Sequence, residues 1–246
     1  MRRKAVHPEE SFRDPEFLGS LEGRTLRILS EYLSPMTRLE KAKINSTILF
    51  LGSSKADPTD AKSPFYRYYW EAEELAFLLA SWAITLKIPK GKDFVICTGA
   101  GPGIMEAANR GAARAGGKTI GMNISLPQPQ PPNPYISPDL SFNFHYFFMR
   151  KFWLVYKAKA VIIFPGGFGT LDEFFEIATL LQVSKISKKE LTLLLYGEEY
   201  WRDLIKFDSM VNKNAICAED LELFKILSTP RQAFAYLKRK MARFIK

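Results

Sequence analysis

Several segments of this chain are apolar at every position rather than at every second one, and each runs into a turn followed by a helical pattern. Ile48 to Leu51 leads into Gly52-Ser53-Ser54, Phe94 to Cys97 into Thr98-Gly99-Ala100-Gly101-Pro102-Gly103, and Ala160 to Phe164 into Pro165-Gly166-Gly167-Phe168-Gly169. A strand that is apolar on both faces has no side to offer to water, so it belongs in a sheet covered by helices above and below. Strand and helix alternate along the chain, which makes neighbouring strands parallel. The expected fold is α/β: a doubly wound, Rossmann-like, mostly parallel sheet with helices on both faces. Ligands of such sheets bind at the carboxyl ends of the strands.

The periodicity predicts helices over 66–86, 104–115, 144–156, 170–183, 199–211 and 230–245, and further strands over 118–124, 191–196 and 224–227. The segment 127–138 holds six prolines and is expected to be an extended loop, because proline fits neither a helix interior nor a central strand. Residues 1–45 read as an N-terminal helical extension, with Leu18, Leu21, Leu26, Leu29 and Leu33 at roughly helical spacing and Pro35 near its stop. Residues 46–246 read as the main domain.

Thirty-five basic against twenty-six acidic side chains give a net charge of +9, which favours anionic partners. The charge is scattered over Arg2 to Lys4, Lys41 and Lys43, Lys185 to Lys189, and Lys238 to Lys246. Short clusters at ends and loops are the pattern of a solvated surface, which argues against nucleic acid and leaves a phosphorylated small molecule. Cys97, Cys217, His7 and His145 provide neither a disulfide framework nor zinc-ligand spacing, so no metal is expected. Met1-Arg2-Arg3-Lys4 has no apolar stretch behind it, as a secretory signal would, and no apolar run approaches the ~20 residues of a membrane span. A cytoplasmic protein with no membrane partner is expected.

The two glycine turns carry the chemistry. Each exposes backbone N–H groups at the positive end of a helix dipole, with no Cβ to hinder close approach of an anion. Such an end contributes roughly 0.3–1 kcal/mol, so two turns together suggest one shared phosphate site. The dinucleotide fingerprint fails at Ile104, where a third glycine is needed, and at Asn123 and Ser125, where an acidic residue is needed. No Gly-Lys-Ser/Thr completes a Walker loop. In the second turn, Thr170 and Glu173 have the spacing of a capping box, a purely structural device. Against that, Glu173 lies in line with Ile177, Leu180 and Leu181 on the stripe that should face the core, and a carboxylate heading an apolar stripe beside a phosphate-type loop is a site candidate.

Arg150 and Lys151 are the only charges between Phe142 and Tyr156, a stretch dense in aromatics. Arg150 either reaches out to water or is held half buried to meet an anion. His145 reads as a core or edge histidine rather than an acid or base.

Gly101-Pro102-Gly103-Ile104-Met105-Glu106-Ala107-Ala108-Asn109, His145-Tyr146-Phe147-Phe148-Met149-Arg150-Lys151 and Pro165-Gly166-Gly167-Phe168-Gly169-Thr170-Leu171-Asp172-Glu173 together closely resemble the LOG (Lonely Guy) family of cytokinin-activating phosphoribohydrolases, often labelled possible lysine decarboxylase. The resemblance spans about residues 47–205 and makes 46–246 a nucleotide-binding catalytic domain. It implies hydrolysis of the N-glycosidic bond of adenosine 5′-monophosphate or its N6-substituted cytokinin forms, with no cofactor. It assigns Arg150 and Glu173 as the catalytic pair, and Gly101, Gly103, Gly166, Gly167, Gly169, Thr170, Ser53 and Lys151 to substrate and phosphate binding. A homo-oligomer, a dimer or larger, is implied as well. Ala100 and Lys55 stand where glycine and arginine are common in the family.

Breaking the bond to a purine builds positive charge on the ribose, which a carboxylate near C1′ stabilises. Glu173 is expected to be ionised at neutral pH for this role. Two other readings compete: a non-catalytic nucleotide or pterin-cofactor carrier of the same fold, and a nucleotide sensor whose basic surface contacts nucleic acid.

Overall fold

The computed structural model describes residues 9–86, 94–128 and 130–245. Its strands are β1 (Ser46–Leu51), β2 (Phe94–Thr98), β3 (Thr119–Ile124), β4 (Ser141–Phe144), β5 (Ala158–Ile163), β6 (Thr192–Tyr196) and β7 (Phe224–Leu227). They form one sheet in the order β4-β3-β2-β1-β5-β6-β7, and every pairing is parallel. The helices are α1 (Pro15–Gly19), α2 (Arg24–Lys41), α3 (Tyr66–Thr85), α4 (Ile104–Arg114), α5 (Phe147–Tyr156), α6 (Phe168–Gln182), α7 (Glu198–Leu204), α8 (Phe207–Asn212) and α9 (Pro230–Met241).

Alternate strand residues feed two cores, one on each face. Leu49, Leu51, Val161 and Leu193 pack under α2, α5 and α6 through Leu39, Met149, Trp153 and Phe174. Ile48, Phe50, Ile162 and Leu194 pack under α3, α4 and α9 through Leu75, Ile104, Ala108 and Leu237. This is the doubly wound, Rossmann-like architecture that the unbroken apolar strands imply, with α1 and α2 preceding it.

Four local expectations change. Pro35 does not stop the first long helix but lies buried inside α2. The carbonyl that Pro35 cannot satisfy, that of Glu31, accepts a bond from Trp153 Nε1 at 3.0 Å instead. The leucine stripe is also inverted: Leu26, Leu29 and Leu33 face outward, and Ile28, Tyr32, Met36 and Leu39 face the core. The aromatic helix begins at Phe147, not at 144, because Phe142 and Phe144 alternate with exposed Asn143 as edge strand β4. Glu31 separates the two elements by accepting from the N–H groups of His145 (2.7 Å) and Tyr146 (3.2 Å). Finally, the helix expected over 199–211 breaks at extended Ile205 into α7 and α8, which lets Trp201 and Phe207 both pack on Phe174.

No helix of the described residues is long and apolar enough to cross a membrane. Lys41, Lys43, Lys185, Lys188, Lys189 and Lys238 are exposed, while the basic Arg2 to Lys4 and His7 lie outside the described residues, as do Pro129 and Lys246.

Candidate active site

The chain adds β2, β3 and β4 on one side of β1 and then β5, β6 and β7 on the other, so strand order reverses between β1 and β5. The crevice beyond the carboxyl ends of the strands at that switch is where a doubly wound sheet holds ligand. Ser53 follows β1, and the second glycine turn follows β5. Ser53 joins both glycine turns: its N–H donates to Pro165 O at 2.9 Å, and its carbonyl accepts from Ile104 N, the first residue of α4, at 3.0 Å. Its hydroxyl accepts from Lys55 N at 3.0 Å.

Two glycines allow this close stitching. Gly103 has φ +71°, and a Cβ there would strike the Ser53 carbonyl and Ser54 backbone. A Cβ on Gly166 would strike the Thr170 side chain and lie 2.9 Å from Ser53 N. Gly167 and Gly169, by contrast, have nothing within 4 Å of a Cβ and open onto the cleft.

Helix α6 starts at Phe168 with Gly167 as N-cap and no side-chain cap. Thr170 is thus the third residue of the helix, buried, and Glu173 lies a turn further in. The capping-box geometry does not form, and helix geometry leaves the N–H groups of Phe168, Gly169 and Thr170 without intrahelical acceptors.

Glu173 faces Arg150 instead, with Oε1 3.5 Å from Nη1. Arg150 points inward, not to water. It is buried, and its guanidinium donates from Nε to Met122 O at 2.8 Å and from Nη2 to Gly99 O at 3.4 Å. Burial pushes the Glu173 carboxyl up to about 7; Arg150 opposes the rise, Asp172 adds to it, Lys151 opposes it and Glu176 adds to it. A fully ionised carboxylate at neutral pH is therefore not what the free protein holds, because desolvation outweighs the neighbouring guanidinium.

Ser53, Lys55, Arg150, Gly166, Gly167, Gly169, Thr170 and Glu173 line one cleft of about 480 Å³, within the range of small-molecule sites. Gly101 and Gly103 stand behind it: Gly101 is covered by Gln130 and Met105, and Gly103 by Ser53 and Ser54. Lys151 lies outside the cleft lining, with Nζ 2.7 Å from Asp172 and 3.1 Å from Glu176. His145 is exposed at the end of β4. A larger groove of about 840 Å³ runs beside β7 and contains neither glycine turn. Among the described residues, no three His, Cys, Asp or Glu side chains gather as a metal site.

Sequence reasoning missed several wall residues. Tyr200 donates its hydroxyl to Gly166 O at 2.6 Å, and Met105, Ile124, Leu126 and Phe147 give the cleft its apolar lining. Asn133, from the proline-rich loop, donates Nδ2 to Ala100 O (3.0 Å), Gly101 O (3.1 Å) and Asn109 Oδ1 (2.9 Å). Asn109 also accepts from Thr98 Oγ1 at 2.7 Å and donates to Thr119 Oγ1, so the first turn is fastened to a buried polar network. The only sequence signal for this was an asparagine among prolines.

A family model described as possible lysine decarboxylase matches residues 105–237. The pyrimidine/purine nucleotide 5′-monophosphate nucleosidase of Escherichia coli K12 is 33% identical over 133 aligned residues, covering 47% of this chain and 28% of the relative. The same protein of Escherichia coli O157:H7 matches equally. The match thus spans little more than a quarter of the length of these relatives. Among solved structures, TM1055 superposes with a TM-score of 0.53 at 18% identity, covering 79% of this chain and 99% of that one. The molybdenum cofactor carrier protein of Chlamydomonas reinhardtii gives 0.52 at 19% identity, covering 80% and 99%. At these identities the two structures attest the fold.

Proposed function

The chain belongs to the family described as possible lysine decarboxylase, and from that premise we propose that it is a LOG-type phosphoribohydrolase. It cleaves the N-glycosidic bond of a nucleoside 5′-monophosphate, adenosine 5′-monophosphate or an N6-substituted form, to free base and ribose 5-phosphate. The observation that carries this reading is Glu173: a carboxylate released from its own helix end, facing the cleft beside an uncapped helix N-terminus and a buried arginine.

The residues do not fit the pyridoxal phosphate that the family's label implies. A Schiff-base lysine needs a desolvated ammonium. Lys55, which lines the cleft, is exposed, and Lys151 is committed to Asp172 and Glu176.

In the proposed reaction, the N–H groups at the start of α6 and the Thr170 hydroxyl receive the 5′-phosphate. Anchoring that group orients the ribose, so remote binding energy positions the scissile bond. The apolar wall of Met105, Ile124, Leu126 and Phe147 suits the flat face of a base. As the bond to C1′ lengthens, positive charge grows on the ribose and Glu173 stabilises it. A carboxyl titrating near 7 also suits taking a proton from the attacking water at neutral pH. The water oxygen bonds to C1′ as the C1′–N bond breaks, and the proton that Glu173 took from the water leaves with the base, which restores the carboxylate.

We also propose that the protein is a homo-oligomer. Support comes from the outward faces of α2 and α5, where Leu26, Leu29 and Leu33 lie exposed near exposed Phe148, Phe152 and Tyr156. The two faces adjoin, since the Tyr32 ring on α2 lies 5.8 Å from that of Phe152.

The test is to incubate the protein with purine, N6-substituted purine and pyrimidine 5′-monophosphates and to separate the released bases. Free base with ribose 5-phosphate is the expected result. Tight nucleotide binding without release would establish the carrier reading instead.

A further inference from the structure

Glu173 has an acidic neighbour on each side along α6: Asp172 precedes it and Glu176 lies one turn beyond. Left alone, two carboxylates at i and i+4 repel each other and any acid between them. Lys151 meets both, at 2.7 and 3.1 Å, while the preceding residue, Arg150, meets Glu173. Consecutive cations on α5 thus engage three acids within little more than one turn of α6, and the Arg150–Glu173 pair faces the cleft while the Lys151 pairs lie beside it.

We propose that Lys151 is a positioning residue for Glu173: by pairing with both flanking carboxylates, Asp172 and Glu176, it offsets their charge beside the acid that Arg150 holds. This rests on the proposed hydrolysis and assigns Lys151 to the catalytic acid rather than to the substrate phosphate. The Lys151 side chain is only 18% exposed, against 52% for Asp172 and 36% for Glu176. It is therefore drawn in between the helices rather than loose at the surface. Burial works against its charge, but the hydrogen bonds it donates to Asp172 and Glu176 outweigh that and hold the ammonium above its usual range.

The charged groups around Glu173 are few. Arg150 and Lys151 face it from α5, Asp172 and Glu176 flank it on α6, and Lys55 and Tyr200 share its cleft; Leu49 and Leu51 of β1 pack beside it as apolar wall. Lys151 is thus the cation that balances the two carboxylates that hinder ionisation of Glu173.

The experiment compares K151M, K151R, D172N/E176Q and K151M/D172N/E176Q with the unaltered chain. In K151M the acid limb of the kcat/KM profile should move up by about one pH unit, a loss of roughly tenfold below the limb with little loss well above it. K151R should restore the profile. Removing both flanking acids from K151M should bring the limb back, a rescue that a merely structural lysine does not predict. D172N/E176Q, which keeps Lys151, should move the limb down.

The Glu173 titration is followed in parallel, without nucleotide, from the carboxyl infrared band that disappears in E173Q. That measurement stands even if no nucleotide is hydrolysed, which would defeat the proposed function alone. The proposal is overturned if the band titrates alike in K151M, or, should K151M not fold, alike in D172N/E176Q and the unaltered chain. Equal loss of activity by K151M at every pH overturns it too.

Discussion

Arg150 reaches Glu173 from within the protein: its Nη1 stands 3.5 Å from Oε1 while the rest of the guanidinium is held by the Met122 and Gly99 carbonyls. The acid is therefore paired with a cation that cannot swing away, yet burial still pushes its titration up to about 7. Turnover should rise with pH through about 7 as the carboxylate forms. Glu173→Gln should lose ~10²–10³ in rate and still bind nucleotide. Retention of activity in that variant would remove Glu173 from the mechanism.

The same titration has a consequence for stability. An acid whose folded value exceeds its ordinary value of 4.5 binds more protons folded than unfolded. The contribution of this one group to stability is then greatest below 4.5 and declines as pH rises to about 7, by about 3 kcal/mol. Denaturant titrations across that window should show the decline, and Glu173→Gln should lack this part of it.

Arg150→Lys keeps the charge but not the fork. A single ammonium cannot serve two carbonyls and a carboxylate from the same position, so roughly a 10²-fold fall in kcat/KM is expected despite the conserved charge. Activity near that of the unaltered chain would mean that only the charge matters.

The glycines divide into two classes that substitution separates. Gly103→Ala meets both a left-handed backbone and the Ser53 carbonyl, and should cost more than about 2 kcal/mol in thermal or chemical unfolding. Gly169→Ala places its methyl in open cleft and should keep or raise stability, by up to about 1 kcal/mol. It should nonetheless raise KM about tenfold by standing where the proposed 5′-phosphate would sit, an effect absent if the turn binds no anion.

Leu29→Glu and Phe152→Glu put charge into the exposed apolar faces of α2 and α5. Each should convert the proposed homo-oligomer to monomer in sedimentation velocity while leaving the fold intact by circular dichroism, and an unaltered chain that already sediments as a monomer would overturn the oligomer. An unaltered sedimentation coefficient would place the contact elsewhere.

The central strands were legible because β1, β2, β5 and β6 are apolar on both faces, a pattern with few other uses. Edge strand β4 was not: its four residues alternate, and they merge in sequence with the aromatic helix that follows. Glu173 was legible as an acid on a core-facing stripe, whereas the failure of its capping box depends on the helix starting at Phe168, two residues before Thr170. The direction of Arg150 is set by carbonyls of β3 and the first glycine turn, and the partners of Lys151 by α6. Such long-range contacts leave no local trace in the chain. The same holds for Pro35, which sits inside a helix only because Trp153, far along the sequence, takes up the bond it leaves free.

The proline-rich loop acts on the first glycine turn as a splint. Prolines narrow the conformations open to the unfolded segment, so less entropy is lost when Asn133 is delivered to the Ala100 and Gly101 carbonyls. Ala100 itself sits at φ +70°, a conformation that an alanine abandons readily unless something outside the turn restrains it. Substitutions around Asn133, even where they touch no cleft residue, thereby acquire a route to the candidate site through one amide.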